Sequence, residues 1–192
     1  YLKGKIERRA DQLKEGDKLM VSYKKEIDDK DIAEINLAGI FSKRNDVMLR
    51  YVAEYLSQFE KLSKHNNFVF RDSFPINYVE EILIRHGKTF DDLPKTARIS
   101  IKRDNVEIPI KIKMTNDLLE VIGLYVSEGH LRKNNSNNGF YQLGIAGNSQ
   151  IKRFVRKTMM ESFNIGGYEG EEQVVFSSRL LYELFKNYLC VG

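Results

Sequence analysis

The sequence is poor in cysteine and has no long apolar run, and both absences narrow the classes of protein that it can encode. The single cysteine, Cys190, cannot form an internal disulfide, and neither a CxxC pair nor a Cys/His cluster is present to hold zinc. No stretch approaches the roughly 20 apolar residues of a membrane span, and no secretory signal opens the chain. We therefore expect a soluble, cytoplasmic protein with no membrane partner.

What the chain does contain is enough apolar sequence for a core and a mild excess of positive charge. Its 192 residues are 42% hydrophobic, which suits one compact domain or two small ones. The net charge of +4 fits a nucleic-acid partner but also describes many cytosolic enzymes. The excess is partly local, because residues 148–164 carry four basic side chains and one acidic side chain.

Apolar spacing predicts an α+β fold. From Asp31 the chain is helical in character, with apolar residues at spacings of three and four between Met48 and Leu62, and a second helix follows Pro75. Residues 98–102 and 106–113 alternate apolar with polar side chains, which predicts a β-hairpin with Pro109 at an edge. The remainder predicts a helix capped by Thr115 or Asn116, two strands, a helix capped by Asn148, a strand at 174–176 and a final helix at 178–189.

The stretch Val121–Gly129 (VIGLYVSEG) carries three unusual features at the end of a predicted helix. Gly123 costs about 1 kcal/mol relative to alanine within a helix, a loss that makes sense where another backbone approaches closely. Ser127, four residues later, widens the same small-residue groove. Glu128 places a negative charge on the last turn, where the helix dipole disfavours it, and so invites a cation. The alternative is a surface acid beside a glycine that stops the helix.

These nine residues resemble the signature helix of the LAGLIDADG (DOD-type) homing endonucleases, with Glu128 at the position of the last acid of the motif. The resemblance extends over roughly 115–192, through the strand Tyr141–Ala146 and the helix that opens at Asn148. It implies two such helices packed through small residues, here Gly123 and Ser127. It also implies Mg²⁺ held by the catalytic residues Glu128 and Gly129, the latter through its carbonyl. Glutamate in place of the commoner aspartate keeps the oxygen ligand that magnesium prefers.

One acid is insufficient for phosphodiester hydrolysis, which needs cations near both the attacking and the leaving oxygen. The second half-site comes either from a segment beyond Gly192, which makes this chain truncated, or from a second copy in a homodimer. A second stretch, Leu37–Ile40, looks closer to the family name, but Arg44 stands where the acid belongs. We therefore expect Leu37–Ile40 to pack among helices.

The segment Arg9–Val21 resembles the end of the N-terminal half of an intein splicing domain of archaeal type. We therefore divide the chain into a β segment at 1–27, a helical linker or DNA-recognition subdomain at 28–114 that ends in the hairpin, and the endonuclease half at 115–192. Splicing itself is not assigned, because the chain opens with Tyr1 rather than Cys or Ser and does not end in His-Asn.

Candidate contacts to double-stranded DNA follow the signature helix. Alternate residues of a strand project from one face, and such a face can lie along a major groove. We expect Arg132, Lys133, Tyr141 and Gln142 to reach base edges, and the basic residues of the next helix to contact phosphates unless they form only a solvated face: Lys152, Arg153, Arg156 and Lys157.

The expected function is that of an intein-encoded endonuclease that cuts a long duplex site with Mg²⁺. The competing class is a LAGLIDADG-derived DNA-binding or regulatory module without catalysis. An interaction domain with no nucleic-acid partner is a third class, and it predicts no salt-dependent DNA affinity.

Overall fold

The computed structural model describes residues 34–62, 67–102, 104, 106–134 and 139–189, and its fold is α+β, as predicted. The predicted splicing-domain segment at 1–27 lies outside these residues. The helices are α1 (Leu37–Phe41), α2 (Ala53–Leu56), α3 (Asn67–Arg71), α4 (Ile76–Arg85), α5 (Asn116–Glu128), α6 (Ser149–Phe163) and α7 (Arg179–Leu184), the last continued by a π-helical turn, Phe185–Leu189. The strands are β1 (Glu34–Asn36), β2 (Val47–Arg50), β3 (Ser73–Pro75), β4 (Arg98–Ile101), β5 (Glu107–Pro109), β6 (Lys111–Lys113), β7 (Gly129–Lys133), β8 (Tyr141–Ala146), β9 (Tyr168–Glu169) and β10 (Gln173–Ser177).

The first half of the described chain is built on an antiparallel sheet of four strands in the order β3-β2-β4-β5, here called the N-terminal sheet. One face contributes a fully buried row of side chains from neighbouring strands: Leu49, Phe74, Ile99 and Ile108. The helical prediction for the start of 48–62 is therefore wrong. A short apolar run such as Val47–Leu49 does not distinguish a strand from a helix, and pairing with β4 decides for the strand.

The predicted hairpin is confirmed, and its second arm is divided between two sheets. β5 pairs with β4 at the sheet edge, where Pro109 removes no ladder donor from a central strand. After the buried Ile110, β6 pairs instead with β1 to form a separate two-stranded sheet. Leu37 and Ala38 of α1 are buried next to it, which confirms the packing role expected for that stretch.

The second half is built on another antiparallel sheet, in the order β7-β8-β10-β9, here called the C-terminal sheet. Helices α5, α6 and α7 cover one of its faces. Leu143, Ile145, Val174 and Phe176 point into that covered face and are fully buried. No helix in the described ranges covers the opposite face, which is here called the open face.

Side-chain caps begin the long helices where the sequence predicts them. The Thr115 hydroxyl accepts a hydrogen bond from the Leu118 amide at 3.2 Å, and the Asn148 side chain accepts from two amides of the first turn of α6. None of the described helices combines the length and the apolar character needed to cross a bilayer.

Candidate nucleic-acid interface

Glu128 lies at the edge between helix α5 and the C-terminal sheet, because α5 ends at Glu128 and β7 begins at the next residue. The Gly129 amide donates a closing hydrogen bond to the Tyr125 carbonyl. A β-carbon at position 129 would collide with the ring and the carbonyl of Tyr125, so this tight junction requires glycine. The Glu128 carboxylate is exposed at the junction between the helix and the sheet.

The outer side of α5 has no partner among the described residues. Leu119 and Val126 are 51% and 69% exposed, although both are large apolar side chains. Between them lies Gly123, where an added β-carbon would meet open space. Ser127 is exposed and its hydroxyl donates to its own helix, to the Leu124 carbonyl at 3.1 Å. These residues recur at spacings of three and four, so they form one apolar, small-residue side.

The register of the C-terminal sheet defines which side chains share the open face. Residues opposite one another in an antiparallel ladder point to the same side, and alternate residues point to opposite sides. One cross-strand row contains His130, Gly144 and Val175. The next row, further from Glu128, contains Arg132, Gln142 and Ser177, and Ala146 and Gln173 form a third row at the Glu128 end.

His130 lies in the middle of the open face. A β-carbon at Gly144 would collide with its imidazole, so this glycine leaves the space that the ring occupies. Burial, with a smaller contribution from the charge of Arg132, lowers the pKa of His130 below its usual 6.5. The imidazole is therefore mainly neutral at pH 7, where it both donates and accepts hydrogen bonds.

The four predicted base-contacting residues do not share one face. Arg132 and Gln142 lie on the open face, whereas Lys133 and Tyr141 are opposite each other in the alternate row. The Tyr141 ring makes an edge contact with Tyr182 of α7, at 5.2 Å between centroids. Two cations lie over the same ring, Lys133 at 5.5 Å and Arg179 at 5.3 Å. Tyr141 therefore belongs to the covered side, and only Arg132 and Gln142 join the open face.

The prediction of a phosphate contact for Lys152 is wrong. Its side chain is only 6% exposed, and its ammonium donates to the Gly170 and Glu171 carbonyls at 2.7 Å each. Lys152 therefore holds the turn between β9 and β10 against α6.

The other three basic residues of α6 are accessible but lie away from the open face. Arg156 pairs with Glu169 at 2.9 Å, Lys157 lies 3.9 Å from Glu161, and Arg153 is exposed. Because α6 packs on the covered face, its exposed side points away from Arg132 and Gln142. A duplex on the open face would not reach these three cations.

The oxygens at the α5–β7 junction suit a hard cation but form an incomplete ligand set. A carboxylate from Glu128 and a carbonyl from Gly129 are the donor types that magnesium prefers. Within the described ranges, no group of three or more His, Cys, Asp or Glu side chains is arranged to hold a metal ion. A metal at this junction would need further ligands from water, from substrate or from another segment.

Sequence reasoning missed several residues of the open face, namely Gln173, Ser177 and the neighbouring Tyr168, which is 76% exposed. The segment Gln173–Ser177 was predicted as a strand only at 174–176. Its polar first and last residues were a signal for outward positions, but the pairing register with β8 was needed to place them.

No family model matches the chain. The chain is 30% identical over 202 residues to the DNA polymerase II large subunit of Thermococcus kodakarensis, a match that takes in all of this chain and 11% of that protein. It is 26% identical over 202 residues to the uncharacterized protein MJ1054 of Methanocaldococcus jannaschii, across 94% of this chain and 22% of that protein. The chain thus spans a minor part of each relative.

Proposed function

We propose that this chain carries half of a Mg²⁺-dependent, LAGLIDADG-type DNA endonuclease within an intein-like insertion. The observation that carries the proposal is the position of Glu128. It lies at the tip of a helix whose small-residue side is covered by none of the described residues, next to a sheet with an open polar face. A surface acid that only follows a helix needs neither of these two neighbours.

The outer side of α5 supports a second helix as its partner. Leaving Leu119 and Val126 in water forgoes burial that would stabilise each by about 1 kcal/mol or more, which favours a partner at this surface. The empty space at Gly123 allows another backbone to approach between them. Such a partner, from a downstream segment or a second copy, would bring its own acid beside Glu128.

In this proposal, Glu128 and the Gly129 carbonyl hold the cation, and the open face holds the duplex. Mg²⁺ held there would supply positive charge beside the scissile phosphate and would make a neighbouring water more acidic. Arg132 and Gln142 donate to base edges or phosphates and orient the DNA along the sheet. His130 lies in the middle of the same face, and its neutral imidazole hydrogen-bonds to the DNA.

The two relatives support an insertion. One is a polymerase subunit, and this chain corresponds to only 11% of it, as a module carried within a larger protein would. MJ1054, in which the matched part is 22%, fits the same arrangement.

Nicking of a supercoiled plasmid library tests the proposal. The assay uses this chain and a longer form containing any residues encoded after Gly192, each with Mg²⁺ and with a chelator. Glu128→Gln should lower the Mg²⁺-dependent rate by on the order of 100-fold or more, because it removes a charged ligand. Glu120→Gln, another exposed acid on the same helix, should leave the rate unchanged.

Two results would contradict the proposal. Cleavage that persists in Glu128→Gln would remove this carboxylate from the site. Salt-dependent DNA binding without cleavage in either form, indifferent to chelator and to Glu128→Gln, would favour the non-catalytic DNA-binding module.

A further inference from the structure

A cleft of about 480 Å³ lies where the N-terminal sheet region meets the C-terminal sheet. Tyr51 and Glu107 line it from one side, and Asn164, Gly166 and Ser177 line it from the other. Ser177 also belongs to the row of Arg132 and Gln142, and Gln142 donates to its hydroxyl at 3.5 Å. The open face and the cleft are therefore continuous at the edge of the sheet that lies away from Glu128.

Tyr51 is held in this cleft in a costly conformation. Its φ is +60°, a left-handed backbone geometry that a bulky aromatic residue rarely adopts and that costs on the order of 1 kcal/mol or more. The residue is 51% exposed, so burial in the core does not offset that cost. Its interaction with the Glu107 carboxylate raises the pKa of Tyr51, and Glu107 is itself paired with Arg50. An exposed aromatic face is thus fixed in position at the mouth of the cleft.

The groups around this ring suit a planar heteroaromatic ligand with polar edges. The Glu107 carboxylate accepts hydrogen bonds, and the Asn164 amide and the Ser177 hydroxyl both donate and accept. A nucleobase matches this set, since its face stacks on an aromatic ring and its edge carries amino and carbonyl groups. Arg50 balances the charge of Glu107, so the cleft does not present an unpaired anion to a nucleic acid.

We propose that this cleft binds a single unpaired nucleobase at the end, or at an opened step, of a duplex that lies on the open face. A paired base is excluded, because its faces are stacked and its edge is already hydrogen-bonded. The inference rests on the proposed function for the position of the duplex, and it adds a site for single-stranded DNA beside it.

Fluorescence anisotropy with three probes tests the cleft: a blunt duplex, the same duplex with a short single-stranded tail of either polarity, and a single-stranded oligonucleotide. A tail of one polarity should raise affinity about tenfold over the blunt duplex, the scale of one base stacked on an aromatic ring. Tyr51→Asn should abolish this gain, and Tyr51→Phe, which keeps the ring, should retain it. Neither variant should change affinity for the blunt duplex.

Asparagine is chosen because it tolerates a positive φ, so the variant should fold and its melting temperature should not fall. The proposal is overturned if neither tail adds affinity, or if the gain survives in Tyr51→Asn. Should the blunt duplex fail to bind, the proposed function fails, and weaker binding of the single-stranded oligonucleotide by Tyr51→Asn would still support the cleft. Absence of binding to all three probes would refute both.

Discussion

The two four-stranded sheets differ in whether the polar side chains on one face are paired within the sheet. In the N-terminal sheet, Arg50 donates to the fully buried Ser100 at 3.1 Å and pairs with Glu107, so its charge is satisfied within the sheet. In the C-terminal sheet, the side chains of Arg132 and Gln173 have no hydrogen-bond partner among the described residues, although their backbones belong to the sheet. A polar face that satisfies itself stabilises the fold, whereas one left unsatisfied is free to bind another molecule.

The largest expected difference is between substitutions on the two faces of β10, measured as the loss of unfolding free energy. Phe176 is fully buried under the helices, and Phe176→Ala should lower the free energy of unfolding by about 3–5 kcal/mol, because it leaves a cavity. Val175 is its neighbour on the open face, and Val175→Ala should lower the unfolding free energy by about 1 kcal/mol or less. Chemical denaturation of both variants checks this. Equal losses would mean that the open face is covered in the folded protein.

The next largest difference in unfolding free energy is expected between substitutions of two lysines of α6. Lys152→Met keeps the apolar stem but leaves the Gly170 and Glu171 carbonyls without their donor, so we expect a loss of about 2 kcal/mol in unfolding free energy. Lys157→Met, at a position 69% exposed, should change it by about 0.5 kcal/mol or less. Neither substitution should weaken DNA binding by more than a general charge effect. A larger loss of DNA affinity in Lys157→Met would show that α6 contacts the DNA after all.

Equivalent substitutions on the two polar faces should have opposite outcomes. Arg50→Leu should lower the unfolding free energy by about 1–2 kcal/mol, since Ser100 and Glu107 lose their partner. Arg132→Leu should leave stability within about 0.5 kcal/mol but weaken duplex binding and reduce its salt dependence. Denaturation and anisotropy on the same preparations provide both readouts. If Arg132→Leu binds as the wild type does, the open face is not the DNA surface.

The smallest effect concerns the ion pairs that join the two halves. Asp46 pairs with Arg44 at 2.9 Å and with Arg179 of α7 at 2.9 Å. The hydrogen bond from Arg44 lowers the pKa of Asp46 below its usual 3.8, so its stabilisation is present above that pH and is lost as the pH falls through the lowered value. Partial exposure limits this contribution to about 1 kcal/mol or less.

Asp46→Asn should therefore reduce stability slightly at neutral pH and flatten the acid limb below about pH 4. Unfolding free energies measured from neutral pH into that range check the sign. A variant with the same acid slope as the wild type would show that other carboxylates account for it.

Local signals predicted much of the second half of the described chain. Thr115 and Asn148 cap helices by their own side chains, and those caps depend on only a few neighbouring residues. The 98–113 hairpin follows from strict alternation around a polar turn. The failures arose where distant residues decide. Residues 47–50 became a strand by pairing with β4, and Lys152 was buried by a turn 18 residues further along the chain.

The sequence alone determined that α5 carries Gly123 within the helix and ends at Glu128, followed by Gly129. Helix periodicity and capping depend on only a few neighbouring residues. Which strand residues face outward was decided only in the folded chain, because a shift of one position in register exchanges the two faces of a sheet. The cleft at Tyr51 likewise exists only where two sheets far apart in sequence meet. Short-range stereochemistry thus specified the candidate metal ligand, and long-range packing specified the surface around it.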